Sequence, residues 1–181
     1  YYAMYIYTSL DAESKIITDE NGYVYIMDED DNYNLIHYNG ESKDITLPNE
    51  INGHTYNIYD NAFYYTKITS VVIPNNVASI SEYAFAYCYN LTCVVLPESI
   101  SSIGDNAFYD CEMLLEVYNL SELQIELGSS DNGYVGYYAK YIYTSLDEER
   151  KIKIDDSGFV FVEEDDEINL IGYTGDDKNL I

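Results

Sequence analysis

Tryptophan is missing from this 181-residue chain, and cysteine (3), proline (3) and basic side chains (8 Lys plus Arg) are scarce. Three cysteines cannot build a disulfide framework, and the spacing of Cys88, Cys93 and Cys111 forms no zinc-ligand pattern. The 8 basic residues stand against 33 Asp plus Glu, a net charge of -25. Such a surface repels phosphate backbones and anionic lipid, so nucleic acid and membrane surfaces are not expected partners. No apolar run approaches about 18 residues, so no membrane insertion is expected. No basic-then-apolar leader opens the chain either. Its abrupt start reads as a segment of a longer protein and says nothing about secretion.

What the chain does contain argues for a fold. Heavy acid loading usually signals disorder, but 23 Tyr and a 47% apolar content supply a core. The length suits one ordinary domain. Tyrosine fills cores and also stacks on glycans, and composition does not separate the two uses.

Two periods organise the sequence. "SISEYAFAYC" over residues 79–88 returns as "SSIGDNAFYDC" over 101–111. Ala84-Phe85 recurs as Ala107-Phe108 after 23 residues, and Ala62-Phe63 stands 22 residues before the first. Other columns follow at the step of 23: Ile80 with Ile103, Cys88 with Cys111, Pro74 with Pro97, Ile73 with Leu96. Ile68, Leu91 and Leu114 form one series, and Val71, Val94 and Val117 another. A unit of this size cannot bury its apolar side alone, whereas stacked units share a continuous interior. The reading is a repeat solenoid.

The longer period has an offset of 136. Residues 1–31 match their partners at 17 of 31 positions, and "NLIHYNG" realigns with "NLIGYTG" after a one-residue deletion. Four segments follow: a closing-coil remnant plus β-hairpin module at 1–42, coils at 43–127, a degenerate closing coil at 128–146, and a second hairpin module at 147–181. The chain looks cut from a tandem array. In the degenerate coil, Val135, Gly136 and Ala139 are expected to replace Ile103, Gly104 and Ala107, with a polar insertion before them.

Local patterns place the elements. "ITSVVIP" and "LTCVVLP" are β-rich segments closed by proline, which cannot donate to a ladder. "SEYAFAY" and "GDNAFYD" are too short for full helices and predict one turn or a 3-10 segment. "GYVYIMDEDDNYNLIHY" and "GFVFVEEDDEINLIGY" alternate about an acidic centre, the pattern of a hairpin that caps or bridges a coil stack. The fold class is therefore a repeat solenoid of coils of about 23 residues with short parallel strands, flanked by antiparallel β-hairpin modules.

"LPESISSIGDNAFYDC" and "IPNNVASISEYAFAYC" resemble the BspA-like bacterial surface leucine-rich repeats. Ser81 departs from that pattern where glycine is usual, Thr66 where cysteine is usual, and the stretch at 48–58 is four residues long for its place. The resemblance implies a secreted or wall-attached surface protein that adheres to host or neighbouring-cell proteins or glycans.

Candidate sites follow from strand alternation. If Leu91, Val94 and Leu96 point inward, the outward rows are Ser70, Cys93, Glu116 and Val72, Val95, Tyr118. These six residues are the candidate binding face, either open to a partner or covered by a neighbouring hairpin or chain. On this assignment Cys93 is the reactive thiol, while Cys88 and Cys111 form a ladder of small buried thiols rather than a disulfide. The acidic runs at 28–31, 163–167 and near Asp131 lack the alternate-ligand calcium loop, so no metal or cofactor is expected. "NLT" at Asn90 and "NLS" at Asn119 fit the glycosylation acceptor pattern but are short signals. His37 and His54 have no nucleophile partner, and Gly172 replaces His37 in the second module, so no enzyme is expected. The expected function is a non-enzymatic surface binding or adhesion module. The alternative is a structural unit that self-associates end to end.

Overall fold

The computed structural model describes residues 16–28, 30–164 and 167–175. The closing-coil remnant expected at the start, and Glu29, Asp165 and Asp166 of the acidic runs, lie outside them. The described chain begins with an antiparallel meander of β1 (Ile16–Thr18), β2 (Tyr23–Met27) and β3 (Tyr33–Tyr38). It then winds into coils whose strands alternate between two walls: β4 (Asp44–Thr46), β5 (Tyr56–Ile58), β6 (Ser70–Val72), β7 (Ser79–Ile80), β8 (Cys93–Leu96), β9 (Ser102–Ile103), β10 (Glu116–Asn119) and β11 (Tyr141–Tyr143). A second meander follows, of β12 (Ile152–Ile154), β13 (Phe159–Glu164) and β14 (Glu167–Tyr173).

The first wall is a five-stranded parallel sheet in the order β4-β6-β8-β10-β11. Its register carries the repeat directly, since Val71 pairs with Val94 and Val94 with Val117. The second wall runs β1-β2-β3-β5-β7-β9, and β3 joins β5 in parallel through Tyr33–Tyr56 and Leu35–Ile58. The first meander is thus a cap whose last strand continues the solenoid wall. Its Tyr23, Tyr25, Leu35 and Tyr38 belong to the same core as the coils.

Between the walls, each coil places Phe directly over Phe. Phe63 and Phe85 are 4.8 Å apart and stacked, and Phe85 and Phe108 are 5.1 Å apart. The adjoining Ala62, Ala84 and Ala107 are fully buried, so the small side chain allows the coils to approach. Backbone bonds tie the turns together: the amides of Phe63, Phe85 and Phe108 donate to the carbonyls of Ala84, Ala107 and Gly133 at 2.7, 2.8 and 2.7 Å. These segments are hydrogen-bonded turns; among the described residues a 3-10 segment occurs at Asn132–Tyr134.

The cysteine ladder is present. Cys88 and Cys111 are free, buried, and donate through Sγ to the carbonyls of Phe63 and Phe85, each at 3.1 Å. Thr66 takes the cysteine place in the preceding coil, with its Oγ1 3.3 Å from Cys88 Sγ.

The closing coil differs from its expected alignment. Gly133, rather than Ala139, takes the place of Ala107, because Phe108 bonds to its carbonyl. Its φ of +64° and the closeness of Gly104 O and Ala107 to any added Cβ explain why glycine stands there. Val135 fills the core beside it. The long stretch at 48–58 is absorbed by a small turn closed by an Ile51–His54 bridge.

Candidate functional site: the outward face of the first sheet

Alternation along β6, β8 and β10 puts every second residue on the outside of the first wall. Ser70, Cys93 and Glu116 stand side by side in register, as do Val72, Val95 and Tyr118. The rows continue to Asp44 and Thr46 on β4, and to Tyr141 and Tyr143 on β11. The six residues expected from spacing therefore form one face. That face is not open throughout. Val72 is 37% exposed and Ser70 and Val95 are half-buried, but Cys93 is 4%, Glu116 0% and Tyr118 5% exposed.

The second meander covers the β10 end. Ile152, Val160 and Val162 bury against Leu115, with Met113, Tyr141 and Ile171 at the margin. The place of a Cβ on Gly172 lies against the Met113 side chain, which accounts for glycine where the first module has His37.

Glu116 anchors this contact. Its Oε1 accepts from the Tyr143 hydroxyl at 2.9 Å, the Lys151 amide at 2.7 Å and the Ile152 amide at 3.0 Å. Arg150 Nε donates to Oε2 at 2.7 Å. A carboxylate removed from water persists when hydrogen-bond donors replace its hydration, and here an arginine, two backbone amides and a phenol do. The Tyr118 hydroxyl adds a bond to the Glu148 carbonyl at 2.9 Å.

Cys93 needs a correction. It does face outward, away from the solenoid core, but lies in a separate cluster with Tyr118 and Tyr143. Burial pushes its thiol up to about 11, more than the nearby Arg150 lowers it. A buried, protonated thiol is a poor nucleophile, so Cys93 is not the reactive cysteine.

At the β4 end the face remains accessible around Ser70, Val72 and Val95. Asp44 Oδ1 accepts from Thr69 Oγ1 and Ser70 Oγ, both at 2.7 Å, which fixes the polar border. A cleft between this border and the tip of the second meander is lined by Lys43, Asp44, Asp155, Phe159 and Tyr173.

The remaining candidates serve turns. Asp28 accepts from the amides of Asp30 and Asn32, and the Asn32 backbone bond helps hold its carboxyl below the usual range. Asp19 and its counterpart Asp155 likewise accept from two backbone amides each, at equivalent turns. Asn119 is engaged by Ser121 and Leu123 in a local turn. His37 and His54 are exposed. Among the described residues no group of three or more His, Cys, Asp or Glu is placed to hold a metal ion. Also among them, no helix is long and apolar enough to cross a membrane.

Sequence reasoning missed Arg150 and the anchoring role of Glu116. One signal was present: Glu116 is an acid on a strand whose next two residues, Val117 and Tyr118, are apolar or aromatic.

Comparison with known proteins agrees with this architecture. Residues 56–130 match the family model of the BspA type leucine rich repeat region, in 6 copies. The chain is similar to the crystal structure of a leucine-rich repeat protein from Bacteroides capillosus, at 26% identity and a TM-score of 0.57 over 72% of this chain and 98% of that one. A leucine rich repeat protein of T. pallidum matches at 18% identity and a TM-score of 0.38, over 70% of this chain and 84% of that one. A leucine rich cell surface protein of Faecalibacterium prausnitzii matches at 17% identity and a TM-score of 0.39, over 89% and 62%. A search of curated proteins finds no match. The chain carries a BspA-type leucine-rich-repeat region over residues 56–130, wound as the solenoid described above.

Proposed function

We propose that this chain is a non-enzymatic binding module of a tandem surface protein, located outside the cell, that holds a protein or glycan on the outward face of its first sheet. The repeat is a scaffold fold whose extended, regular walls suit recognition of macromolecules. The observation that carries the reading is Val72, an apolar side chain 37% exposed on that sheet, beside half-buried Val95 and hydroxyl-bearing Ser70. Burial of Cys93, Glu116 and Tyr118 narrows the contact to the β4 end and leaves the second meander as its rim. The test is an array of immobilised extracellular-matrix proteins and neutral glycans, probed with the full chain and with Val72→Lys. Loss of the positive spots with an unchanged melting temperature supports the face; undiminished binding rules it out.

End-to-end assembly is the second reading, favoured by one specific observation. In β14, Ile168 and Leu170 are 70% and 68% exposed, whereas their counterparts Tyr33 and Leu35 in β3 are buried. The second module presents the surface that the first has already covered with a coil.

A further inference from the structure

A different surface runs along the flank where the turns between strands stack. Tyr64, Tyr87, Tyr109 and Tyr134 follow one another there in edge-to-face contact, with centroids 5.2, 5.6 and 5.3 Å apart. Tyr89 leans on Tyr87 at 6.1 Å and donates its hydroxyl to Asp110 Oδ2 at 3.2 Å. The rings stand outside the interior, which the phenylalanine stack already fills. Tyr64, Tyr89 and Tyr109 are exposed, and Tyr87 and Tyr134 are half-buried.

At two of these positions, Tyr87 and Tyr134, the backbone does not favour tyrosine. Tyr87 has φ +60°, and the equivalent residue of the next coil, at φ +59°, is Asp110. Asn, Asp and Gly accept this left-handed conformation most readily, and bulky side chains resist it. The ring is therefore kept where a smaller residue folds more easily.

One carboxylate, Asp110, lies at the rings, and Glu82 and Asp105 stand in the turns of the same coils. Glu82 and Asp105 occupy one position of successive coils, since the Tyr83 amide donates to the Asp105 carbonyl as the Asn61 amide does to that of Glu82. Both are exposed. Asp110 sits within hydrogen-bond reach of Tyr89. Asp110 thus sets a carboxylate in the middle of the stripe, beside Tyr89.

We propose that this tyrosine flank docks a segment of a partner protein rich in arginine or lysine. Aromatic faces attract cations within about 6 Å of the ring centroid, and Arg stacks on them while its fork reaches carboxylates. The net charge of -25 draws such a segment in and repels acidic polymers. A neutral glycan would stack on the rings and hydrogen-bond the acids, but it carries no charge to answer the net charge of -25, so charge complementarity selects the basic peptide. The site is separate from the sheet face and does not depend on it.

The test titrates the full chain with a fluorescent peptide of alternating arginine and glycine, in about 0.15 M salt, where long-range attraction is screened within about 8 Å. The variant combines Tyr87→Asn with Tyr89→Ser. Net charge is unchanged, and asparagine suits the left-handed position, so the variant is expected to fold. Loss of two ring contacts is expected to weaken peptide binding roughly tenfold, while Leu146→Ser, at an exposed position on neither surface, binds like the parent. Equal affinity of parent and tyrosine variant would reduce the attraction to net charge and overturn the proposal. So would an equal loss with Leu146→Ser, or saturable binding of cellohexaose in place of the peptide. None of these outcomes depends on whether the sheet face binds on the matrix and glycan array.

Discussion

The ring of Phe85 lies parallel to that of Phe108, with centroids 5.1 Å apart and planes 4° from parallel. Residues 23 apart thus share one vertical stack, and each ring is floored and roofed by its neighbours. Removing the middle ring leaves both neighbours facing a void that the coils cannot close without breaking the Phe63–Ala84 and Phe85–Ala107 backbone bonds. Phe85→Ala is expected to destabilise the protein by about 3–5 kcal/mol, read from urea unfolding. A loss below about 1 kcal/mol would mean that the stack is not a structural element of the core.

The stack was legible because each coil repeats it, and so were the outward rows, because strand alternation and a constant step determine both. The second wall was less so. β7 and β9 are two residues each, Ser79–Ile80 and Ser102–Ile103, too short for any alternation to register. A hairpin cover over the face was one of two alternatives, and local pattern did not choose between them or point to Cys93 and Tyr118. The cover depends on Glu116 meeting Arg150 and the Lys151 and Ile152 amides, a contact between segments more than 30 residues apart that no period links. The closing coil misled because Gly133 adopts a conformation that the alanines it replaces do not, so matching letters pointed to Ala139 instead.

Because Glu116 holds the second meander down, cutting that bond should uncover Cys93. Glu116→Ala leaves the buried amide of Ile152 without its acceptor, at a cost of about 1–3 kcal/mol per unpaired group. A loss of about 1.4 kcal/mol raises an opening equilibrium roughly tenfold. In the parent, native thiol labelling should be slow at all three cysteines. In Glu116→Ala, Cys93 should react much faster while Cys88 and Cys111, inside the phenylalanine core, stay protected. Unchanged labelling of Cys93 would show that the apolar contact of Ile152, Val160 and Val162 holds the meander unaided.

Alkaline pH should weaken the fold in a definite window. The Cys93 thiol is raised by burial from an ordinary value of 9.0 to about 11. Above pH 9 the unfolded chain gives up a proton that the folded chain keeps. The thiol's contribution is therefore complete below pH 9 and declines as pH rises toward 11, by about 2–3 kcal/mol in total. The buried phenols of Tyr25, Tyr56 and Tyr143 are also pushed up by burial, so the decline continues beyond pH 10. Urea unfolding at pH 8, 9 and 10 should show the parent losing stability faster than Cys93→Ala. Identical slopes would place the effect on the tyrosines alone.

The two modules answer each other across the length of the chain. In the first, Tyr33 and Leu35 of β3 are buried, and β3 pairs in parallel with β5 through Tyr33–Tyr56 and Leu35–Ile58. In the second, the corresponding Ile168 and Leu170 are among the most exposed apolar side chains of the described residues, and Phe161 is half-buried where Tyr25 is fully enclosed. The edge of β14 is paired to nothing beyond β13 among the described strands. An open strand edge with apolar side chains is a template for another strand, and β3 shows that this sequence pattern accepts one in parallel. Light scattering of the full chain should therefore rise with concentration, and Ile168→Glu with Leu170→Glu should abolish the rise while leaving the coils folded. A parent that stays strictly monomeric at millimolar concentration would take from the end-to-end reading its one specific support.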